Sequence, residues 1–366
     1  METRRRDFIK QGAAIGATVG VFGASGLNAE QRQTQIPSQR TKAVMSLFDL
    51  KYPIFQAPTG NAAGPALALA VSDAGAMGAL GLTWLTPEAA RDAVSKVRAS
   101  TKRMFVVNYV LAFPPESLPA ALEVGAPIVQ FSWGMPTREL VSAVRAARAK
   151  LGVQVTSAES ARAALDLGAD YLVCQGTEAG GHVQGSNGLY EALARVLEEA
   201  KQTPVVASGG IGNGQAIRKA LLAGASAAML GTRFVATKES FVHAEYKNAI
   251  IQAHAQDTAF TTCFQDGWPN VPHRVLRNPT FVMWDAAGCP PAGKRPGEGD
   301  VIATRPDGTK VTRYSIEMAK PGLEGALTDC VQYAGLGVDS IKDLPAAGEL
   351  VKRLWKECQA GYDTAK

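Results

Sequence analysis

Three short stretches of this chain place side chains and glycines in patterns that suit chemistry. In Gln175-Gly176-Thr177-Glu178-Ala179-Gly180-Gly181-His182 an imidazole follows two glycines. A histidine there can turn its ring toward a ligand, and an ordinary pKa of about 6.5 lets it accept a proton at neutral pH. In Ser208-Gly209-Gly210-Ile211-Gly212-Asn213-Gly214 the bare positions let backbone N–H groups close on an anion, which the start of a following helix also favours. Gly231-Thr232-Arg233 repeats the theme one strand later, and the two together predict a phosphate site. At Gln56-Ala57-Pro58-Thr59-Gly60 no bulky side chain follows Gln56, so a flat ring system could lie against the backbone. Asn108, Gln130, Ser132 and Gln175 are uncharged groups that can hydrogen-bond the polar edge of such a ring. His243, His254 and His273 lack a comparable setting and read as structural. No His, Asp or Glu spacing suggests a metal site.

These motifs need elements to position them. Short apolar runs alternate with helical periodicity from Tyr52 onward. The strands are expected at Pro53–Gln56, Met77–Leu82, Met104–Val110, Pro127–Ser132, Val153–Thr156, Tyr171–Gln175, Pro204–Ser208 and Ala227–Gly231. They are continuously apolar rather than alternating, as in a parallel sheet covered on both faces. Helix-like stretches follow them, among them Pro87–Ala99, Arg138–Ala149, Ala158–Leu167 and Gln215–Ala223. A Gly-Ala pair precedes a strand at Gly75, Gly125, Gly168 and Gly224. A glycine there can end a helix in the left-handed conformation just before the next strand. Eight units of this kind predict an α/β fold, a (β/α)8 TIM barrel, with a doubly wound open sheet as the alternative. Every motif above falls at a strand's C-terminal end, where such barrels carry their sites.

Residues 45–250 are assigned to the barrel and 251–366 to a C-terminal extension packed on it as a lid or interface. Within the extension, residues 254–345 hold many prolines and glycines. A hairpin is expected at Val301–Thr304 and Lys310–Tyr314, and a closing amphipathic helix at about Ala346–Cys358.

Composition narrows the function classes. The 366 residues are 46% hydrophobic and 19% charged, enough to fill a large core and too apolar for disorder. Net charge is +5, from 38 basic and 33 acidic residues, too small and dispersed to argue for nucleic acid. Five cysteines, at 174, 263, 289, 330 and 358, show no C-x-x-C spacing and no closed disulfide framework. No stretch has about 20 uninterrupted apolar residues, so no stable membrane span is expected.

Residues 1–30 are set aside from the fold. Thr3-Arg4-Arg5-Arg6-Asp7-Phe8-Ile9-Lys10 precedes an uncharged Gly/Ala-rich run to about Asn28. This resembles a twin-arginine export signal. It implies the twin-arginine export machinery as a partner and an exported, periplasmic protein, or a cytoplasmic one if the signal does not function.

A family resemblance rests on Pro53-Ile54-Phe55-Gln56-Ala57-Pro58, Val107-Asn108, the Gln175–His182 loop, Ala207-Ser208-Gly209-Gly210-Ile211 and Gly231-Thr232-Arg233-Phe234-Val235-Ala236-Thr237-Lys238-Glu239-Ser240. Together they resemble the nitronate monooxygenases. Trp268-Pro269-Asn270, the stretch His273–Asn278 and Arg295-Pro296-Gly297-Glu298-Gly299-Asp300 are similar to the C-terminal part of some members.

The resemblance implies an FMN-dependent barrel that oxidises alkyl nitronates with O2 to a carbonyl compound and nitrite. His182 would be the active-site base. Gly209, Gly210, Gly231 and Thr232, with Ser208, would hold the phosphate. Gln56, Ala57, Pro58, Asn108, Gln130, Gln175 and Gly181 would surround the rest of the cofactor. Thr59 stands where many members have Met, and Tyr333-Ala334-Gly335-Leu336 where they have Tyr-Ala-Gly-Gln. Two other readings stand beside this one: a related FMN-dependent NAD(P)H oxidoreductase of the quinone or enoyl type, and a non-catalytic flavin-binding barrel. A Schiff-base aldolase would want a lysine at a strand end, and none of the eight expected ends has one.

Overall fold

The barrel grows out of eight parallel strands, each too apolar to face water. In the computed structural model, which describes residues 36–360, they are β1 (Ile54–Gln56), β2 (Gly78–Gly81), β3 (Phe105–Val110), β4 (Ile128–Ser132), β5 (Lys150–Val155), β6 (Tyr171–Gln175), β8 (Val205–Ser208) and β9 (Ala227–Leu230). The export segment expected at residues 1–30 lies outside the described residues. Neighbours pair in the order β1-β9-β8-β6-β5-β4-β3-β2. A parallel bridge between Phe55 and Met77 joins β1 to β2 and brings the sheet's edges together. The seventh strand of the chain, β7, is the two-residue segment Gly181–His182 and belongs to another sheet.

Between the strands run α2 (Pro65–Asp73), α3 (Pro87–Ser100), α4 (Leu118–Glu123), α5 (Arg138–Ala146), α6 (Ala158–Asp166), α7 (Leu189–Ala200) and α8 (Gly214–Leu222). The sequence explains their ends. Thr86, Thr137, Ser157 and Asn213 each accept a hydrogen bond from the first turn of the helix they open. Gly75, Gly125, Gly168 and Gly224 all take positive φ, between 79° and 100°, the left-handed stop expected of the Gly-Ala repeat.

Two apolar layers result. One lies between the strands and the outer helices. The other fills the barrel with Phe55, Met77, Val106, Ile128, Tyr171, Val173, Val206 and Met229. Helix α1 (Gln39–Leu47) and the residues after it close one end. Phe48 sets its ring edge-on against Phe55 and Tyr171, with centroids 6.2 and 5.4 Å away.

After β9 the chain makes only a short helix, α9 (Thr232–Val235), and then leaves the barrel. It forms α10 (Ala244–Gln252), β10 (Thr258–Thr261), β11 (His273–Leu276), α11 (Pro279–Ala286), the hairpin β12 (Val301–Thr304) and β13 (Lys310–Thr312), and β14 (Glu324–Gly325). This segment has its own core around Tyr246, Phe264, Val275, Phe281 and Val331.

The closing helix α12 (Ala347–Ala360) returns to pack between α8 and α2. Leu350, Val351, Leu354 and Trp355 enter the strand–helix layer. Glu357 accepts from the Gly214 N–H at 2.9 Å, and Arg218 donates to the Cys358 carbonyl. The extension therefore supplies the last helix of the barrel's outer ring. A boundary at 251 cuts the sequence but not the packing.

Candidate active site

At the C-terminal ends of the strands lies a cavity of about 670 Å³, within the range of about 300–1,000 Å³ usual for ligand pockets. Barrel loops form its floor. Its roof comes from the extension, through Asp266–Trp268, Arg305, Ser315–Met318, Lys320 and Tyr333.

Ser208, Gly209 and Gly210 line the cavity beside Gly231 and Thr232, because β8 and β9 pair with Ser208 opposite Met229. Gly209 and Gly210 take φ of 128° and 67°, which a side chain would strain. A Cβ at Gly210 would stand 2.9 Å from Glu178 Cβ. Thr232 also holds the roof: its Oγ1 accepts from the Gly335 N–H at 3.0 Å. The next residue does not reach the cavity. Arg233 is buried, and its guanidinium donates to the Asp343 carboxylate and to the carbonyls of Asp343 and Ala236. It ties the barrel to the chain leading into α12.

The loop that carries His182 is held from four sides. Glu178, although it belongs to the motif, points away from the cavity: both its oxygens accept from Leu189 N–H at the start of α7, at 3.1 and 2.9 Å. Its carbonyl accepts from Leu336 N–H. The Arg274 guanidinium donates to the Thr177 carbonyl. Finally β7 pairs antiparallel with β11, setting His182 opposite His273. His182 thus lies on a short strand within a three-stranded sheet, more firmly held than a loop residue.

Gln175 lines the cavity, but its amide is largely engaged in this work. Its Nε2 donates to the His182 carbonyl at 3.2 Å, and its Oε1 accepts from Gln184 N–H at 2.9 Å. Gln154 and Gln184 extend the network, and Gln184 Oε1 accepts from the Trp133 N–H.

Ala57, Pro58, Asn108, Ser132 and Gly181 also line the cavity. Gln56 and Gln130 stand one layer behind it. Gln56 is fully buried, donating to the Ala57 carbonyl at 2.6 Å and accepting from Ala79 N–H. Gln130 accepts from Tyr171 Oη at 3.0 Å and meets the Asn108 amide at 2.9 Å. Both brace residues that face the cavity.

His182 stands among four rings. Centroid distances are 4.3 Å to Trp268, 5.2 Å to His273, 5.4 Å to Tyr333 and 6.4 Å to Trp133. Its Nε2 is buried and has no hydrogen-bond partner within the protein, an arrangement that usually marks a role. Burial, and then the neighbouring His273, push its pKa down to about 3. His273 is different: it is fully buried, its Nδ1 lies 2.9 Å from the Val271 carbonyl and its Nε2 accepts from Phe264 N–H at 3.2 Å. That pattern requires the neutral Nδ1–H tautomer. Burial draws its pKa down to about 4, against the hydrogen bond to Val271.

Sequence reasoning set His273 aside as structural and gave no role to Trp133, Trp268, Gln154 or Gln184. Trp268 and His273 did fall in stretches singled out by resemblance. The rest carried no signal beyond a strand-end position. Among the described residues no cluster of His, Cys, Asp and Glu could hold a metal, and no helix is long and apolar enough to cross a membrane.

A nitronate monooxygenase of Pseudomonas aeruginosa is 32% identical over 362 residues, covering 85% of this chain and 97% of that protein. The crystal structure of a nitroalkane oxidase from Streptomyces ansochromogenes is 32% identical, with a TM-score of 0.70 over 87% of this chain and 98% of that one. FabK from Thermotoga maritima is 28% identical, with a TM-score of 0.72 over 87% and 96%. The family model for nitronate monooxygenase matches residues 41–120 and 115–357. The chain belongs to the nitronate monooxygenase family of oxidoreductases.

Proposed function

We propose that the cavity binds FMN and that the protein oxidises alkyl nitronates with O2 to a carbonyl compound and nitrite. The observation that carries this reading is the buried, unpartnered Nε2 of His182 in a cavity whose far side offers bare glycine backbone. The residues present suit FMN. The N–H groups of Gly209 and Gly210 make no hydrogen bond within the described chain and, with the Thr232 hydroxyl, would hold the phosphate. Ala57 and Pro58 offer a smooth face to the ring, while Asn108 and Ser132 offer neutral polar groups at its edge. FMN held by these residues would supply the two-electron acceptor and the route to O2 that the oxidation needs.

The chain's own residues bind and orient the substrate. A nitronate carries its charge on the nitro oxygens. For a nitronate the neutral imidazole of His182, as its Nε2–H tautomer, would donate to one of them; for a neutral nitroalkane the other tautomer, with Nε2 bare, would take the carbon-bound proton. The roof of Trp268, Tyr333 and Met318 excludes water around that contact. Export by the twin-arginine route is part of the same reading, supported by Arg4-Arg5-Arg6-Asp7-Phe8-Ile9-Lys10. Replacing Arg5 and Arg6 by lysine should retain the protein in the cytoplasm on cell fractionation.

The test is product analysis on protein reconstituted with FMN and supplied with propionate 3-nitronate in air. One nitrite for each nitronate consumed, without NADH, is expected. Failure to bind FMN overturns the cofactor assignment. NADH oxidation without nitronate turnover transfers the chain to the reductase reading.

A further inference from the structure

A buried base needs something to stabilise the charge it acquires, and His182 has no carboxylate for the purpose. No ion pair or side-chain hydrogen bond joins it to an acidic group among the described residues. The titratable groups that face it do not supply a negative charge. His273 has both ring nitrogens engaged as a neutral tautomer. Tyr333 is a half-buried phenol whose pKa is pushed up by burial and by Tyr246. The neighbouring Glu178 carboxylate is held by the N-terminus of α7. Asp266, two residues before Trp268, is paired with Arg295 at 2.8 Å.

What His182 does have is a ring face. The indole of Trp268 lies 4.3 Å from the imidazole, centroid to centroid, at an interplanar angle of 30°. Trp133 meets the imidazole edge-on at 82° and meets Trp268 at 4.7 Å. Phe113 then backs Trp268 at 5.2 Å, so the indole is held in place by rings on both flanks. The face of an indole is the most attractive of the aromatic faces to a cation, the more so away from water. A stack at this distance puts that face over the atoms where the charge of an imidazolium spreads.

We propose that Trp268 is a positioning residue that enables His182 to take a proton, so that the enzyme accepts neutral nitroalkanes as well as preformed nitronates. The inference rests on His182 acting at the nitro substrate, as set out above. The step it serves is balanced within itself. The proton leaves the carbon next to the nitro group for His182 Nε2. The C–H electron pair becomes the C=N bond, and the negative charge moves to the nitro oxygens. The imidazolium so formed lies under the Trp268 face. A preformed nitronate skips this step, and Trp268 then serves only as part of the roof.

The experiment uses the FMN-loaded full chain, with Trp268→Leu and the conservative Trp268→Phe. For each, kcat/KM is measured on nitroethane and on ethyl nitronate, and the ratio of the two is the readout. The ratio cancels general damage to folding or cofactor loading. In Trp268→Leu it should fall on the order of tenfold, the scale of a desolvated cation–π contact, and Trp268→Phe should recover part of it. An unchanged ratio overturns the proposal. Wild-type protein that turns over nitronate but not nitroethane also overturns it, while leaving the nitronate reading intact. Wild type inert to both substrates overturns the function itself.

Discussion

Replacing His273 by Gln should make the protein markedly less sensitive to mild acid, although His273 is not a surface residue and not the base. The effect is one of proton linkage. Burial holds the folded pKa of His273 at about 4, while an unfolded histidine titrates near ~6.5. Below ~6.5 the unfolded chain therefore binds a proton that the folded protein refuses. The contribution to stability is complete above ~6.5 and is lost as pH falls toward the folded value. Between pH ~7.5 and ~5 the loss for such a group is about 2 kcal/mol. His182, drawn down to about 3, should add a similar amount, so the pair accounts for about 4 kcal/mol. Carboxylates contribute little in this window, because those with depressed values, such as Glu298, lose their stabilisation only at lower pH. Urea unfolding at several values from pH ~7.5 to ~5 measures the effect. Wild type should lose about 4 kcal/mol across the range and His273→Gln about 2, whatever constant penalty the lost hydrogen bonds impose. A variant whose stability falls with pH as steeply as wild type would refute the reasoning.

Further expectations concern the backbone at the site and the joint to the closing helix. Gly210→Ala forces a side chain onto a residue at φ 67° and to 2.9 Å from Glu178 Cβ. The strain should be about 1–3 kcal/mol, and FMN affinity, read by flavin fluorescence on titration, should fall at least about tenfold. Gly180→Ala would place a Cβ 2.5 Å from the Gly335 nitrogen, a backbone atom that cannot yield as a flexible side chain would. Loss of about 2 kcal/mol or more in urea, together with lower turnover, is expected as the roof shifts away from His182. Asp343→Ala leaves the buried Arg233 with carbonyl partners only. A cost of about 1–3 kcal/mol in unfolding free energy follows, larger than for Asp343→Asn.

The parts of this molecule that were legible in the sequence are those set by local chemistry. Eight continuous apolar runs gave eight barrel strands because a strand buried on both faces needs apolar residues at every position. Gly75, Gly125, Gly168 and Gly224 marked helix ends because each occupies a left-handed conformation. Some boundaries moved. The strand expected at Val153–Thr156 begins at Lys150, since Lys150 pairs with Ile128 across the sheet despite its charge. The helix expected to reach Ala149 ends at Ala146, and Arg148 then takes a positive φ.

What could not be read depends on contacts between distant segments. Strand β7 exists only because Gly181 and His182 meet Arg274 and His273. The rings around His182 come from the β4 loop, β11 and two segments of the extension, so no local pattern announces them. The return of α12 to the outer ring is likewise a fact of packing, invisible in a helix whose amphipathic pattern fits any apolar groove.

The central claim is that His182 acts on a nitronate beside a bound flavin, and anaerobic flavin reduction tests it most directly. Wild type and His182→Leu, matched for FMN content, are mixed with ethyl nitronate without oxygen, and bleaching of the flavin is followed in time. Wild type should be reduced rapidly, and His182→Leu, which has no donor for the nitro oxygens, about 100-fold or more slowly. Equal rates of bleaching in the two proteins, or bleaching by NADH and not by nitronate, would contradict the account.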